Sequence, residues 1–564
     1  MTRNIIVFAV KWGIFNPSVA KNTPDMRKAA ALLSSFLLLA TSAPTDLRRE
    51  FEISRNLEIF AQVFQELNGG FVDEVDPGKL MRTGITAMVS SLDPFTNYFP
   101  ESDIEKFRIQ NEGKSNNAGF DFRFIQQYAT VTEIYAGQAA DKAGLKTGDQ
   151  IIAIDGRDTY GKSAEEVDFF LRGTAGSTVS LTLRRPGNTS EIKTQLVRGD
   201  FEVPNVPYFS RIEGDVAYIS LTTFTGRAGR NVSNALRDMR QENPDLKGVI
   251  LDLRENGGGL LMEAISVCNV FLPKNSLVVS TRGRIREQDR EFSTTQDATD
   301  AEIPLVVLIN RRSASASEIV SGVVQDYDRG VILGQRSYGK GLVQNTVDVG
   351  YNARLKLTTA KYYIPSGRSI QSVEYRQGEP VDIPDERRVT YFTQKGRKVT
   401  DGGGIAPDLP VAHPDQVPVI QSLLKQDIIF RFVSRYAKDY KVDDISQVRF
   451  ADFDRFLTFI REEEIDFETE TNRAWREFTT RAREEGLHTD AWQKEMAARL
   501  DREQGAVLEK YRAEITSLIE KEIAARLFLA SGRIRIGLRN DPEIREAIQV
   551  LRNPKTYRQL LSPP

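Results

Sequence analysis

Cysteine occurs once in 564 residues, at Cys268, and histidine twice, at His413 and His488. A single cysteine excludes an intramolecular disulfide and any Cys-rich metal site. Two histidines leave His-dependent catalysis only two bases to draw on. Charge of one sign is lacking too: 76 Lys+Arg against 78 Asp+Glu give a net charge of −2. That balance argues against a nucleic-acid partner, which calls for a basic excess, and supplies no polybasic membrane patch. Outside the N-terminal region no apolar run reaches the ~18 residues of a membrane helix, so the mature chain is expected to be soluble. What is present, 40% apolar and 27% charged residues, is ordinary for a globular protein. At roughly 100–200 residues per domain, the length predicts three or four units.

Met26-Arg27-Lys28 precedes an apolar run, Ala29 to Ala40, and small residues Thr41-Ser42-Ala43 before Pro44. A charged start, a core of about a dozen apolar residues and a small-residue site describe a secretory signal peptide. Residues 1–43 are therefore read as a pre-sequence with the signal at 26–43, or as an uncleaved membrane-associated segment. Export with one cysteine suits the periplasm. Residues 44–112 form an N-terminal helical region, with Leu57, Ile59, Phe60, Val63, Phe64 and Leu67 at three- and four-residue spacing. Ser91-Leu92-Asp93-Pro94 ends that pattern.

Residues 113–200 change to short strands with glycine turns. Val131 to Ile134 and Val179 to Leu183 alternate as half-buried strands do. Ser163-Ala-Glu-Glu166 is a capping box opening a helix through Val167, Phe170 and Leu171. Between the strands, Ala139-Ala-Asp-Lys-Ala-Gly-Leu-Lys-Thr-Gly-Asp149 and Ile151-Ile-Ala-Ile-Asp-Gly156 resemble a PDZ domain. That resemblance implies capture of an extended chain end as an added strand, with Val167, Phe170 and Leu171 on the helix side. The carboxylate-binding turn, usually Gly-apolar-Gly-apolar, would be Gly119-Phe120-Asp121-Phe122, with Asp121 departing from the pattern.

Residues 201–415 alternate strand and helix, predicting an α/β layered core. Val216 to Leu221, Gly248 to Leu253 and Pro304 to Ile309 read as strands and Asn231 to Gln241 as a helix. Residues 416–564 form a charged, helical C-terminal region, in which Arg461 to Glu520 reads as a solvated helix face. Cys268 reads as a small buried hydrophobe.

The run Asn310-Arg-Arg-Ser-Ala-Ser-Ala-Ser-Glu318 follows a buried strand and opens an apolar-periodic helix. A serine there is exposed, and a helix N-terminus favours developing negative charge. Ser313, Ser315 and Ser317 read equally as caps. Gly339-Lys340-Gly341 lies beyond the next strand; burial would lower the lysine pKa and free its amine as a base. Both histidines lie outside this strand–helix core, which leaves a Ser–Lys pair as the remaining option.

The segment from Ser313 through Gln325-Asp326, Gly334, Gly339-Lys340-Gly341 and Gln344 closely resembles the carboxy-terminal processing peptidases. Asp252-Leu-Arg-Glu-Asn-Gly-Gly-Gly259, Tyr363-Ile-Pro-Ser-Gly-Arg368, Gly403-Gly-Ile-Ala-Pro-Asp408 and Ser91-Leu92-Asp93-Pro94 agree, and the likeness runs from about residue 57 to 412. It implies a ClpP/crotonase-like α/β protease core, an inserted β-rich PDZ domain and helical N- and C-terminal regions. It also implies Ser315 as nucleophile, Lys340 as base and Gln344 as the residue orienting it. Ala316 with Gly258 or Gly259 would supply the oxyanion N–H groups, and Asp326 would support the site. The expected activity is serine endopeptidase cleavage near protein C-termini, without cofactor or metal. Expected partners are proteins or peptides with apolar C-termini, an adaptor protein, and further copies of the chain through the terminal helices. The competing expectations are a PDZ-based scaffold on an inactive protease fold and an adaptor-dependent degrader.

Overall fold

The computed structural model describes residues 45–103, 114–115, 119–199, 201–371, 373–376, 379–382, 384–411, 417–463, 470–487 and 490–563. The signal-peptide reading at 26–43 and both histidines lie outside these residues. The chain divides into two compact units, Met1–Ile85 and Thr86–Pro564. In the first, helix α1 (Thr45–Gly70) exposes Phe51, Leu57, Phe60 and Val63. Helix α2 (Pro77–Ser90) ends where the sequence places its stop. Beyond that stop the N-terminal region is not helical throughout: Asn97–Phe99 is a strand, β1, and residues 104–112 lie outside the described residues. The cause is Asp93. Its carboxylate accepts the Phe95 and Thr96 N–H groups at 2.8 and 2.7 Å, an Asx turn that redirects the chain out of helix.

The PDZ segment is an antiparallel sheet of β2 (Phe120–Ile125), β3 (Tyr128–Ile134), β4 (Gln150–Ile154), β5 (Thr178–Arg184) and β6 (Ile192–Val197). Helix α3 (Ala164–Leu171) covers it, opened by the capping box: Ser163 Oγ accepts Glu166 N–H and Glu166 accepts Ser163 N–H. Two features depart from the expected peptide groove. Phe120 to Phe122 already lie in β2, so of the proposed turn only Gly119 is outside the strand, at φ +84°. Phe120, Val167 and Leu171 are spent on the PDZ core, leaving Phe170 half-buried beneath the Arg157 guanidinium.

The α/β core is a six-stranded sheet. Its strands are β7 (Tyr208–Ile212), β8 (Val216–Ser220), β9 (Gly248–Asp252), β12 (Leu305–Ile309), β13 (Val331–Gly334) and β16 (Leu409–Pro410). All pairs are parallel except β7–β8. Strands β8, β9, β12 and β13 are buried at every position, which is why they read as continuous apolar runs rather than alternating ones. Helices α4 (Ala228–Glu242), α5 (Leu261–Phe271) and α6 (Ala316–Asp326) cover one face, with Cys268 buried among them. The other face is covered by α13 (Pro542–Arg552) and α14 (Pro554–Leu560), through Ile544, Ala547, Ile548 and Leu551. The parallel strands of this sheet, buried at every position, need both covers, so segment 542–560 is part of the core layer structure.

A second, antiparallel sheet joins β1 to β15 (Arg354–Tyr363), β10 (Leu277–Gly283), β11 (Arg290–Ser293) and β14 (Leu342–Asp348). Between the core and α13 run α7 (Pro418–Lys425), α8 (Ile428–Tyr436), α9 (Phe453–Glu462), α10 (Glu470–Glu484), α11 (Asp490–Lys510) and α12 (Arg512–Gly537). Phe432, Phe450, Phe456 and Phe459 form their aromatic centre. These helices hold the PDZ sheet: Arg123 pairs with Asp427 and Glu133 with Arg533, each at 2.6 Å. Helix α12 breaks at Phe528–Leu529, where Leu529 adopts φ +59° and packs against the PDZ core. No helix among the described residues is long and apolar enough to cross a membrane.

Candidate active site

Three loops leave the C-terminal ends of β9, β12 and β13, the edge where open α/β sheets place their chemistry. The β12 loop carries the three serines. Ser313 and Ser317 are fully buried, and their hydroxyls donate to the carbonyls of Leu253 and Asn256, each at 2.8 Å. Ser315 alone is part-exposed, at φ +57° and ψ −113°. A non-glycine residue held there costs about 1–3 kcal/mol, and it persists only where its surroundings over-determine it. Here Ala314 N–H donates to Asn256 O at 3.0 Å and Ser315 N–H to Glu318 Oε2 at 2.8 Å.

The β9 loop presses glycine backbone against that serine. A Cβ on Gly258 would lie 2.8 Å from both Ser315 Cβ and Ala314 O, and 3.0 Å from Ala316 N. Only glycine allows this approach. Ala316 is the first residue of α6, so its N–H belongs to the set left without an intrahelical acceptor. Gly258 N–H already donates to Asn256 Oδ1 at 2.9 Å, which makes Gly259 the better second donor of the expected pair.

The β13 loop brings Lys340. Glu318 links it to the serine turn: Oε1 accepts Ser337 Oγ–H and Gly339 N–H at 2.6 Å, and Oε2 accepts the N–H groups of Lys340 and Ser315 at 2.8 Å. Burial pushes the Glu318 pKa up to about 7 against these four donors, which favour the anion. Tyr362 makes a second bridge, its hydroxyl donating to Lys340 O and lying 3.2 Å from Ser315 O. The Lys340 amine sits 4.3 Å from the centre of the Phe95 ring. Burial, with Lys356 nearby, lowers its pKa to about 8, although Asp93 and Glu318 pull the other way. Gln344 lies on β14, donating to Thr358 Oγ1 at 3.4 Å, and Thr358 in turn meets Thr96 of the Asp93 turn.

Asp326 stands apart. It is at the far end of α6, about 16 Å from Ser315 at 1.5 Å per residue. Its partners are Arg368 at 2.8 Å and Ser366 N–H at 2.9 Å, so it fixes the Tyr363–Arg368 loop. The structure brings Ser315, Ala316, Gly258 and Lys340 to one locus and adds Glu318, Tyr362 and Phe95, which the sequence did not single out. The Asp93 turn was the available signal for Phe95.

A model of peptidase family S41 matches residues 215–378, one of a PDZ domain residues 130–185, and one of the C-terminal helical domain of probable PDZ-proteases residues 419–551. A carboxy-terminal-processing protease of Bartonella bacilliformis is 37% identical over 344 residues, covering 61% of this chain and 78% of that protein. The chain belongs to the carboxy-terminal-processing protease family. A second relative, carboxy-terminal processing protease CtpB of Bacillus subtilis, is 28% identical over 349 residues, 61% of this chain and 72% of its own. Among solved structures, the photosystem II D1 C-terminal processing protease is 24% identical with a TM-score of 0.35, over 62% of this chain and 92% of that one. Within the family frame, this member carries both a PDZ domain and a helical C-terminal domain.

Proposed function

We propose that the chain is an exported serine endopeptidase that cleaves proteins near their C-termini with a Ser315–Lys340 dyad. The observation carrying this reading is that one buried carboxylate, Glu318, accepts the backbone N–H of both residues and so couples the two turns. The neutral Lys340 amine takes the Ser315 hydroxyl proton as Oγ attacks the scissile carbonyl carbon. The N–H groups of Ala316 and Gly259 receive the oxyanion. Collapse of the intermediate returns the proton to the leaving amine and leaves an acyl-enzyme, which water then hydrolyses by the same steps. Gln344 supports the lysine by anchoring the strand that follows its loop, through Thr358.

The PDZ domain recruits substrate tails by adding a strand to β2, which pairs only with β3 among the described strands. Exposed apolar residues along α1 support self-association through the terminal helices. The N-terminal charge and apolar pattern support periplasmic export.

Purified chain incubated with an unfolded protein bearing an apolar C-terminus should release fragments identifiable by mass spectrometry. Ser315→Ala should abolish them while keeping the fold. Full activity in that variant, or loss only in Ser313→Ala or Ser317→Ala, refutes the nucleophile. A wild-type chain that binds the tail and never cuts it would favour the scaffold reading; cleavage only with an added partner would favour the adaptor-dependent degrader.

A further inference from the structure

The start of α13 reaches the roots of two of the loops that carry the candidate site. Glu543 is fully buried, and Asp541 caps the helix by accepting the Glu543 and Ile544 N–H groups. Both carboxylates face Arg254, whose Nη1 lies 2.7 Å from Asp541 Oδ2 and 2.5 Å from Glu543 Oε2. The other side of the same guanidinium grips Asp252 bidentately, through Nε at 2.9 Å and Nη2 at 2.6 Å, and Tyr218 donates to Asp252 at 2.8 Å. Arg254 leads directly into Glu255-Asn256-Gly257-Gly258-Gly259, the turn that abuts Ser315. Glu255 stands at φ +61° and ties that turn to the serine loop: its N–H donates to Asn310 Oδ1, and its carboxylate accepts from Asn310 and Arg312. Glu543 meets a second loop root as well. A Cβ on Gly334, which opens the segment to Lys340, would lie 3.0 Å from Glu543 Oε1 and closer still to Ile309 O, the last residue before the serine loop.

We infer that Asp541 and Glu543 are positioning residues for the proteolytic reaction. The helical C-terminal domain, beyond covering the sheet, clamps Arg254 and so sets the glycine turn against Ser315. The inference rests on the Ser315–Lys340 reading for its kinetic consequence, but the clamp itself is independent of it. Replacing one carboxylate leaves Arg254 Nη1 with one of its two α13 anchors, and the glycine turn gains freedom without losing a group that touches substrate. Small displacements of oxyanion donors are costly in turnover and cheap in ground-state binding.

The test uses the full-length chain. Glu543→Gln keeps the side-chain shape, and Asp541→Asn keeps a cap. Arg552→Ala is the control: Arg552 ties the other end of α13 to Glu213 and Asp215, at 2.5 and 2.6 Å, away from the site. Glu543→Gln should lower kcat for peptide hydrolysis about tenfold or more, with KM within about twofold. Backbone amides of 255–260 should exchange faster with solvent. Arg552→Ala should lower the melting temperature while leaving kcat and the protection of that turn unchanged. If Glu543→Gln proves too unstable, Asp541→Asn takes its place with the same expectations. Wild-type kcat in both carboxylate variants, wild-type protection of the turn, or a loss matched by Arg552→Ala overturns the inference. A wild-type chain inert toward peptide and a serine-acylating probe would instead sink the dyad reading, and amide exchange would still decide whether the clamp exists.

Discussion

In the proposed dyad Lys340 can act as base only while its amine is neutral, and its surroundings decide at which pH that holds. Burial and the Lys356 charge lower its pKa to about 8. The kcat/KM should therefore rise with pH through about 8, a profile that steady-state kinetics from pH 6 to 10 would trace. Lys340→Arg cannot deprotonate in that range and should be inactive. The same depression has a stability consequence. The folded chain releases this proton near 8 and the unfolded chain near 10.5, so between those values the unfolded state holds more protons and stability rises with pH. Lys340→Met should accordingly be more stable than the parent at pH 7, with the gap narrowing above pH 8 in thermal melts. Glu318 behaves differently. Its two oxygens accept four donors, and a Gln amide would turn an N–H against two of them. Glu318→Gln should cost about 3 kcal/mol or more in denaturant titrations and remove activity with it.

Among elements, the glycine turn after β9 is the most constrained. Gly258 sits at φ +100° with Ser315 Cβ and Ala314 O inside the space of any side chain. Gly258→Ala should destabilise the chain by about 2–4 kcal/mol and abolish acylation of Ser315, read by a serine-reactive probe at a temperature where the variant is folded. This element was legible in the sequence as a glycine turn after a nearly all-apolar strand, and the family resemblance, not the glycines alone, pointed to its use. The buried strands 216–220, 248–252 and 305–309 were legible as nearly unbroken apolar runs bounded by turn residues. The second sheet was not. Strand β15 is half-buried along nearly its whole length and reads Arg-Leu-Lys-Leu-Thr-Thr-Ala-Lys-Tyr-Tyr, without a clean period of two. Glu318 was also hidden, since a glutamate three residues after a serine is equally a plain capping box. The PDZ residues Val167 and Leu171 were correctly assigned to one helix, but periodicity cannot tell a core face from a groove face.

Over the whole molecule, the PDZ domain is held by the helical C-terminal domain through Arg123–Asp427, Glu133–Arg533 and the Leu529 wedge. In the proposed reading, catalysis and tail recognition occupy separate segments. Deleting residues 114–200 should therefore alter substrate choice or regulation more than acylation by a small probe; a folded deletion variant inert to the probe would show that the PDZ domain helps assemble the site. The charged tail read as solvated helix between Arg461 and Glu520, and α10 is mostly exposed as expected. Yet Leu508, Ile515 and Ile519 are core residues, and α13 covers the catalytic sheet. Charge on one face of a long amphipathic helix concealed what the other face does.

The placement of α13 bears on when the molecule becomes dangerous to its surroundings. Residues 542–560 are synthesised long after Ser315 and Lys340, and domains generally fold in the order in which they emerge. Until that stretch arrives, one face of the parallel sheet is bare and Arg254 lacks two of its carboxylates. A nascent or truncated chain would thus hold every catalytic residue without the packed sheet beneath them. The sheet that carries Ser315 and Lys340 is thus packed on both faces only once residues 542–560 have been made.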